Sequence, residues 1–191
     1  MSARDRVRWD AIYRETINFP YPDPDPILFQ YTPPIPPLII EPFAGRRALD
    51  LACGLGQNGL WLAAQGYVVD LMDISRVALT RAQEQAAMRG LRTVNFLQAD
   101  FDELALEPNT YDLVCVIRFL HREMFPMLRA AIKPGGRIIY ESFNAHCAQL
   151  APDAPRDFLL GAGELAGYFG DWKIIRNSEA DHVSQLVAIK P

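Results

Sequence analysis

Asp50, Asp73 and Asp100 each close or directly follow a short, mostly apolar run, and Gly54, Gly56 and Gly59 come soon after the first of them. A carboxylate at such a position can accept hydrogen bonds from paired hydroxyls or hold an ammonium. Glycines in the following turn let the backbone pass close to a ligand, because a Cβ would stand in its way. The glycine spacing also satisfies the dinucleotide fingerprint, so two cofactor chemistries are open at this point. Asp50 bears on the choice. A carboxylate at the strand end repels a pyrophosphate but tolerates a zwitterionic amino-acid cofactor that carries a sulfonium. Asp73 lies nineteen positions after Gly54, where nucleotide-binding α/β folds place a carboxylate for the ribose hydroxyls.

Positioning these groups requires strands that end together. From residue 47 onward, β-type runs alternate with helical ones, which indicates crossover units and a parallel sheet buried on both faces. Strands are expected at 67–73, 94–98, 112–117 and 137–143. Ser75 reads as the N-cap of a helix whose apolar face holds Leu79, Ala82 and Ala86 and which Gly90 ends; Gly66 ends the helix before it. A helix over 123–132 tolerates Pro126 in its first turn. Runs at 172–177 and 186–189 are joined by a short polar loop, 178–182, too short for a helical crossover, so they should pair antiparallel. The fold class is therefore α/β: a single doubly wound, Rossmann-like sheet, mostly parallel, with a C-terminal antiparallel hairpin. Its strand-end carboxylates should converge on one crevice.

The first 45 residues differ. A helix is expected over 6–15, followed by eight prolines between positions 20 and 37, a density that excludes helix and central strand. Several of the aromatic residues Phe19, Tyr21, Phe29 and Tyr31 should pack on the domain. Residues 1–45 are accordingly expected to be a helix with a proline-rich lid or arm, and 46–191 the main domain.

With 191 residues, 50% apolar and 22% charged, the sequence suits one soluble domain with ample material for a core. A net charge of -4 and the lack of a basic run interleaved with aromatics argue against nucleic acid or an anionic membrane as partner. The first residues are charged with no apolar stretch behind them, which is unlike a signal peptide, and no run approaches the ~20 residues of a membrane span. Cys53, Cys115 and Cys147 are odd in number and widely spaced, as expected of free thiols in the cytoplasm. His121, His146 and His182 form no i,i+4 pair, and no metal-ligand spacing is present.

Taken together, the segments Asp50-Leu51-Ala52-Cys53-Gly54-Leu55-Gly56, Gln57 to Gly66, Asp73-Ile74-Ser75, Tyr111 to Val116 and Lys133-Pro134-Gly135-Gly136-Arg137 resemble class I S-adenosylmethionine-dependent methyltransferases. The closing segment, Gly163-Glu164-Leu165 with Phe169 and Trp172, fits the same pattern. The nearest likeness is to the tellurite-resistance-like, small-molecule branch, over roughly residues 47 to 190. Trp9-Asp10-Ala11-Ile12-Tyr13 resembles the N-terminal segment of many small methyltransferases.

The resemblance implies S-adenosylmethionine as cofactor and S-adenosylhomocysteine as product. Asp73 would take both ribose hydroxyls, and Asp100 with Phe101 the adenine. Asp50 would orient the amino-acid portion through the loop. Ala52, Cys53, Gly54, Gly56, Asn58 and Ile74 complete the expected cofactor contacts. Arg118, His121 and Arg122, just past the fourth strand, stand where the family places substrate-facing groups; they could bind an anion and remove a proton. Glu141 and His146 are further candidates. The closing loop lacks the His-Arg-bearing segment of the tellurite-resistance branch, which counts against a tellurite-like substrate. No Asp/Asn-Pro-Pro-Tyr/Phe motif follows strand four, which counts against methylation of nucleic-acid bases. A small molecule is the expected substrate, with an anion among the candidates. The alternatives are a cofactor-binding protein without transferase activity and, less favoured, a nicotinamide-dependent oxidoreductase.

Overall fold

The computed structural model describes residues 3–35, 46–149 and 156–191. It comprises two compact units, Met1–Ala105 and Leu106–Pro191.

In the first unit the apolar run after Arg46 becomes β1 (Arg47–Leu51), in which four consecutive residues are buried, as a strand covered on both faces requires. It leads through the glycine turn into α3 (Gln57–Ala64), which packs on β1 and on β2 (Val68–Asp73). Two earlier helices, α1 (Ala3–Glu15) and α2 (Pro26–Tyr31), precede β1. Ser75 caps α4 (Arg76–Met88) as expected: its Oγ accepts from the Ala78 amide, and Ala78, Leu79, Ala82 and Ala86 form the buried face. The strand β3 (Val94–Gln98) pairs parallel with β2, which pairs parallel with β1 in turn. Unlike β1 and β2, β3 is half exposed, with Leu97 at 40%. A strand at this end of the row has one covered face and a solvated edge, so the expected burial on both faces does not extend to it.

A second correction concerns the prolines. The segment expected to exclude helix contains α2, because Pro26 occupies the first turn, where its missing N–H is unneeded, and Asp25 caps it by accepting from the Ile27 amide at 3.1 Å. Of the expected packed aromatics, Phe29 stands edge-on to Trp61 with centroids 5.1 Å apart, but Phe19 is 66% exposed. Pro36, Pro37 and the rest of the expected arm to residue 45 lie outside the described residues.

In the second unit the strands run β4 (Tyr111–Ile117), β5 (Ile132–Phe143), β7 (Val183–Ile189) and β6 (Lys173–Ala180) in spatial order. β4 and β5 are parallel, while β5–β7 and β7–β6 are antiparallel. The helix α5 (Phe125–Ala131) carries Pro126 in its first turn, and a 3-10 turn at Arg122–Met124 precedes it. β5 begins at Ile132 rather than at the expected 137, and the Lys133-to-Gly136 segment falls inside it as an irregularity: Tyr111 lies opposite Ile132, yet Leu113 lies opposite Arg137. A Cβ on Gly136 would come within 2.8 Å of the Lys133 carbonyl oxygen, so only glycine fits there. The hairpin is longer than expected. Ser178, Glu179 and Ala180 pair with Gln185, Ser184 and Val183, leaving Asp181 and His182 as the turn, with Asp181 at a φ of 54°. The polar residues that suggested a loop lie on a solvated strand. A short helix, α6 (Glu164–Gly167), and Tyr168, Phe169 and Trp172 supply aromatic packing around Phe125, whose ring stacks on Tyr168 with centroids 3.8 Å apart.

Candidate cofactor site and substrate rim

The carboxyl ends of β1 and β2 build one tightly bonded loop. Asp73 Oδ2 accepts from the Gly54 amide and Oδ1 from the Ser75 amide, both at 2.8 Å, and the side chain is buried. The Cys53 amide donates to the Met72 carbonyl at 3.0 Å and Gly56 N–H to Cys53 O at 2.9 Å, closing the turn. Ala52, Gly54 and Gly56 all have positive φ (53°, 55° and 80°). That region is natural for the glycines and costly for Ala52.

Asp50 is almost wholly buried and accepts from the Gly59 amide at 2.8 Å, thereby pinning the first turn of α3. Burial raises its pKa to about 7, and the Gly59 hydrogen bond pulls the other way. Burial likewise raises the Asp73 carboxyl, against the amides of Ser75, Gly54 and Ile74.

The glycines divide the work. A Cβ on Gly56 would lie 2.9 Å from Ala82 Cβ, and one on Gly59 2.2 Å from Leu71 Cδ2, so both serve close packing within the protein. At Gly54 the nearest atom to such a Cβ is the Tyr13 hydroxyl, at 2.6 Å.

That contact is part of a strap made by the N-terminal segment, the expected helix with its proline-rich arm. Asp10 Oδ1 accepts from Ser75 Oγ at 2.6 Å and from the Val77 amide at 3.2 Å, tying α1 to the first turn of α4. Arg81 donates to Thr16 O and Oγ1. The Tyr21 hydroxyl donates to the Leu55 carbonyl, and Arg89 lies over the Tyr21 ring at 4.9 Å. Asn58 Oδ1 accepts from the Asp25 amide at 2.8 Å, and the Tyr67 hydroxyl donates to the Pro33 carbonyl. The signal was present in the sequence: Asp10 and Tyr13, three apart, share one helical face.

Among the remaining expected contacts, Ile74 and Phe101 are buried, and the Ile74 carbonyl accepts from Gln98 Nε2. Ala99 N–H donates to Asp73 O, holding the ends of β2 and β3 together, and Asp100 Oδ1 accepts from the Asp102 amide.

In the second unit, Arg118 follows β4 with a φ of 59°; its amide donates to the Glu141 carbonyl at 2.7 Å, and its Nε lies 3.9 Å from Glu141 Oε1. Its side chain is 63% exposed. Glu141 is buried and also accepts from Gln185 Nε2 at 2.7 Å. The His121 ring stacks near Phe119, with Nε2 3.9 Å from Glu123 Oε2. Arg122 is fully engaged: it bonds both oxygens of Glu164 at 2.6 and 3.0 Å and the carbonyls of Asp157 and Leu159. The hydrogen bond to Glu164 raises the Arg122 pKa, and Arg122 holds Glu164 below the usual carboxylate range. His146 Nδ1 lies 3.1 Å from the Asp181 carbonyl.

The first-unit loop suits a nucleoside that carries an amino-acid tail. A carboxylate offers about four acceptor sites, so Asp73 keeps capacity for a ligand hydroxyl beyond the Gly54, Ser75 and Ile74 amides, and glycine at 54 leaves room for the Tyr13 hydroxyl. No metal-holding group of His, Cys, Asp and Glu occurs among the described residues, and none of the described helices is long and apolar enough to cross a membrane.

The family model described as a methyltransferase domain matches residues 48–136. A demethylmenaquinone methyltransferase of Clavibacter sepedonicus is 34% identical over 110 residues, 55% of this chain and 44% of its own length. The probable S-adenosyl-L-methionine-dependent methyltransferase TehB of Haemophilus influenzae is 27% identical over 70% of this chain and 48% of its own length. Its crystal structure superimposes with a TM-score of 0.66 at 20% identity, covering 78% of this chain and 59% of that one. A structure from work on conversion of a disulfide bond into a thioacetal group during echinomycin biosynthesis gives a TM-score of 0.72 at 22% identity, over 97% and 93% of the two chains. The chain spans about half the length of the curated relatives it matches. A methyltransferase-domain model thus matches residues 48–136, and the fold is the Rossmann-like one of the solved methyltransferases that the chain resembles, TehB among them.

Proposed function

We propose that the chain transfers a methyl group from S-adenosylmethionine to a small anionic molecule. The observation that carries the reading is Asp73: a buried carboxyl, locked by the amides of Gly54 and Ser75, at the end of the second strand beside a glycine cradle. When bound, S-adenosylmethionine supplies a methyl group activated by its sulfonium, so the protein's tasks are position, exclusion of water and acceptance of a proton. Asp73 would take the ribose hydroxyls, Phe101 and Asp100 the adenine, and Gly54 would let the backbone approach. The strap over 3–35 would shield the loop from water. On the substrate side, Arg118 offers an exposed guanidinium with Nε near Glu141 and would hold the anionic group. His121 would accept the proton that the substrate's attacking atom gives up. Arg122 would act by fixing the 157–164 segment through Glu164.

The test is a methyl-transfer assay with labelled donor on fractionated small-molecule extract. Label should enter small acidic compounds, and Arg118→Ala should raise KM for them while S-adenosylmethionine affinity stays unchanged. Label confined to neutral or cationic acceptors, or an unaltered KM, would overturn the substrate assignment.

A further inference from the structure

The strap carries two tyrosine hydroxyls to the glycine loop, and their situations differ. Tyr21 donates to the Leu55 carbonyl, so its proton is occupied. The Tyr13 hydroxyl lies 2.6 Å from where a Gly54 Cβ would be, and it makes no hydrogen bond with any described residue. It is placed firmly. Its helix is tied at Asp10 to Ser75 and Val77, its own carbonyl accepts from Thr16 Oγ1, and its ring stacks on Trp9 with centroids 5.9 Å apart. A hydroxyl held in place and not engaged within the protein is available to donate to a ligand.

The charge around it narrows what that acceptor is. Asp50 and Asp73, both buried, lie close enough to raise the Tyr13 pKa further after burial, so the phenol stays neutral and protonated. A ligand carboxylate entering such a setting is repelled by both acids and needs a donor. Tyr13 is a neutral donor already held against the glycine loop, its hydroxyl beside the position that a Gly54 Cβ would take.

We propose that the Tyr13 hydroxyl binds the carboxylate of the cofactor's amino-acid portion, so that the N-terminal strap supplies part of the cofactor site. This rests on the reading of S-adenosylmethionine as cofactor. The strap then selects for the intact amino-acid tail, while Asp73 reads the nucleoside.

Calorimetric titrations of wild type, Tyr13→Phe and Tyr21→Phe with S-adenosylmethionine and with decarboxylated S-adenosylmethionine test it. The second ligand keeps the sulfonium and the amine and lacks the carboxylate. Tyr13→Phe is expected to weaken S-adenosylmethionine about ten- to hundredfold, as for a lost hydrogen bond to a charged group, and to leave the decarboxylated ligand unchanged. Tyr21→Phe should lower both ligands alike. Equal losses of both ligands in Tyr13→Phe would overturn the proposal and leave Tyr13 as a tether of the strap. Retention of both, or the same carboxylate-selective loss in Tyr21→Phe, would overturn it too. Failure of wild type to bind either ligand would remove the cofactor reading itself, an outcome separate from wild-type binding that Tyr13→Phe does not alter.

Discussion

The loop at the ends of β1 and β2 and the rim that follows β4 are built by opposite means. In the first, buried carboxylates take backbone amides: Asp50 holds Gly59, and Asp73 holds Gly54 and Ser75. Its geometry follows from which residues are glycine and which are aspartate. In the second, long side chains meet at or near solvent, Arg118 beside Glu141 and Arg122 on Glu164. One region is a fixed cradle, whereas the other is set by side-chain pairings that a few substitutions could rearrange.

The largest effect expected from breaking this contrast is at Asp73. Asp73→Ala leaves the Gly54 and Ser75 amides without their acceptor, so it should cost about 2–6 kcal/mol of stability at roughly 1–3 kcal/mol for each orphaned group. It should also lower S-adenosylmethionine affinity at least tenfold. Urea denaturation beside binding calorimetry checks both. Unchanged stability would mean that water satisfies those amides and that the cradle is less rigid than its bonding implies.

Gly59→Ala comes next. Its Cβ would collide with Leu71 and Asp50, and overpacking of this kind costs about 1–3 kcal/mol. At the rim the same measurement separates the two arginines. Arg122→Ala should destabilise by about 1–3 kcal/mol, since it strips partners from Glu164 and two carbonyls. Arg118→Ala should stay within about 0.5 kcal/mol of wild type, as expected of an exposed side chain. A stability loss in Arg118→Ala as large as that in Arg122→Ala would erase the distinction.

Much of this was legible in sequence, and the misses have physical causes. The acidic strand ends and the glycine turn can be read because backbone geometry demands those residue types, and Ser75 as N-cap follows from the same local logic. The antiparallel hairpin is legible but its length is not, because Ser178 and Glu179 are polar in a strand whose outer side is solvated, where polarity does not mark a loop. The helix α2 was missed because proline density was weighed without regard to the first turn, the one place where Pro26 suits a helix. The commitment of Arg122 to Glu164, forty-two positions away, had no local signal at all.

A pH dependence separates the cradle from the rim in another way. The Asp50 pKa is raised from 3.8 to about 7 in the folded protein, so between those values the folded state holds a proton that the unfolded state has released. Stability from this group is therefore greatest below pH 3.8 and is lost as pH climbs toward about 7. Asp50→Asn should flatten the fall in stability between about pH 5 and 7, read by urea titration at each pH. An unchanged slope would assign the pH dependence to other groups.

The central claim is that the loop around Asp73 binds S-adenosylmethionine. Calorimetric titration of wild type and Asp73→Ala with S-adenosylmethionine, and of wild type with NADH, tests it most directly. The account predicts saturable binding of S-adenosylmethionine by wild type, a loss of tenfold or more in Asp73→Ala that remains folded, and no binding of NADH. Saturable binding of NADH, or full S-adenosylmethionine affinity in the Asp73 variant, would contradict it.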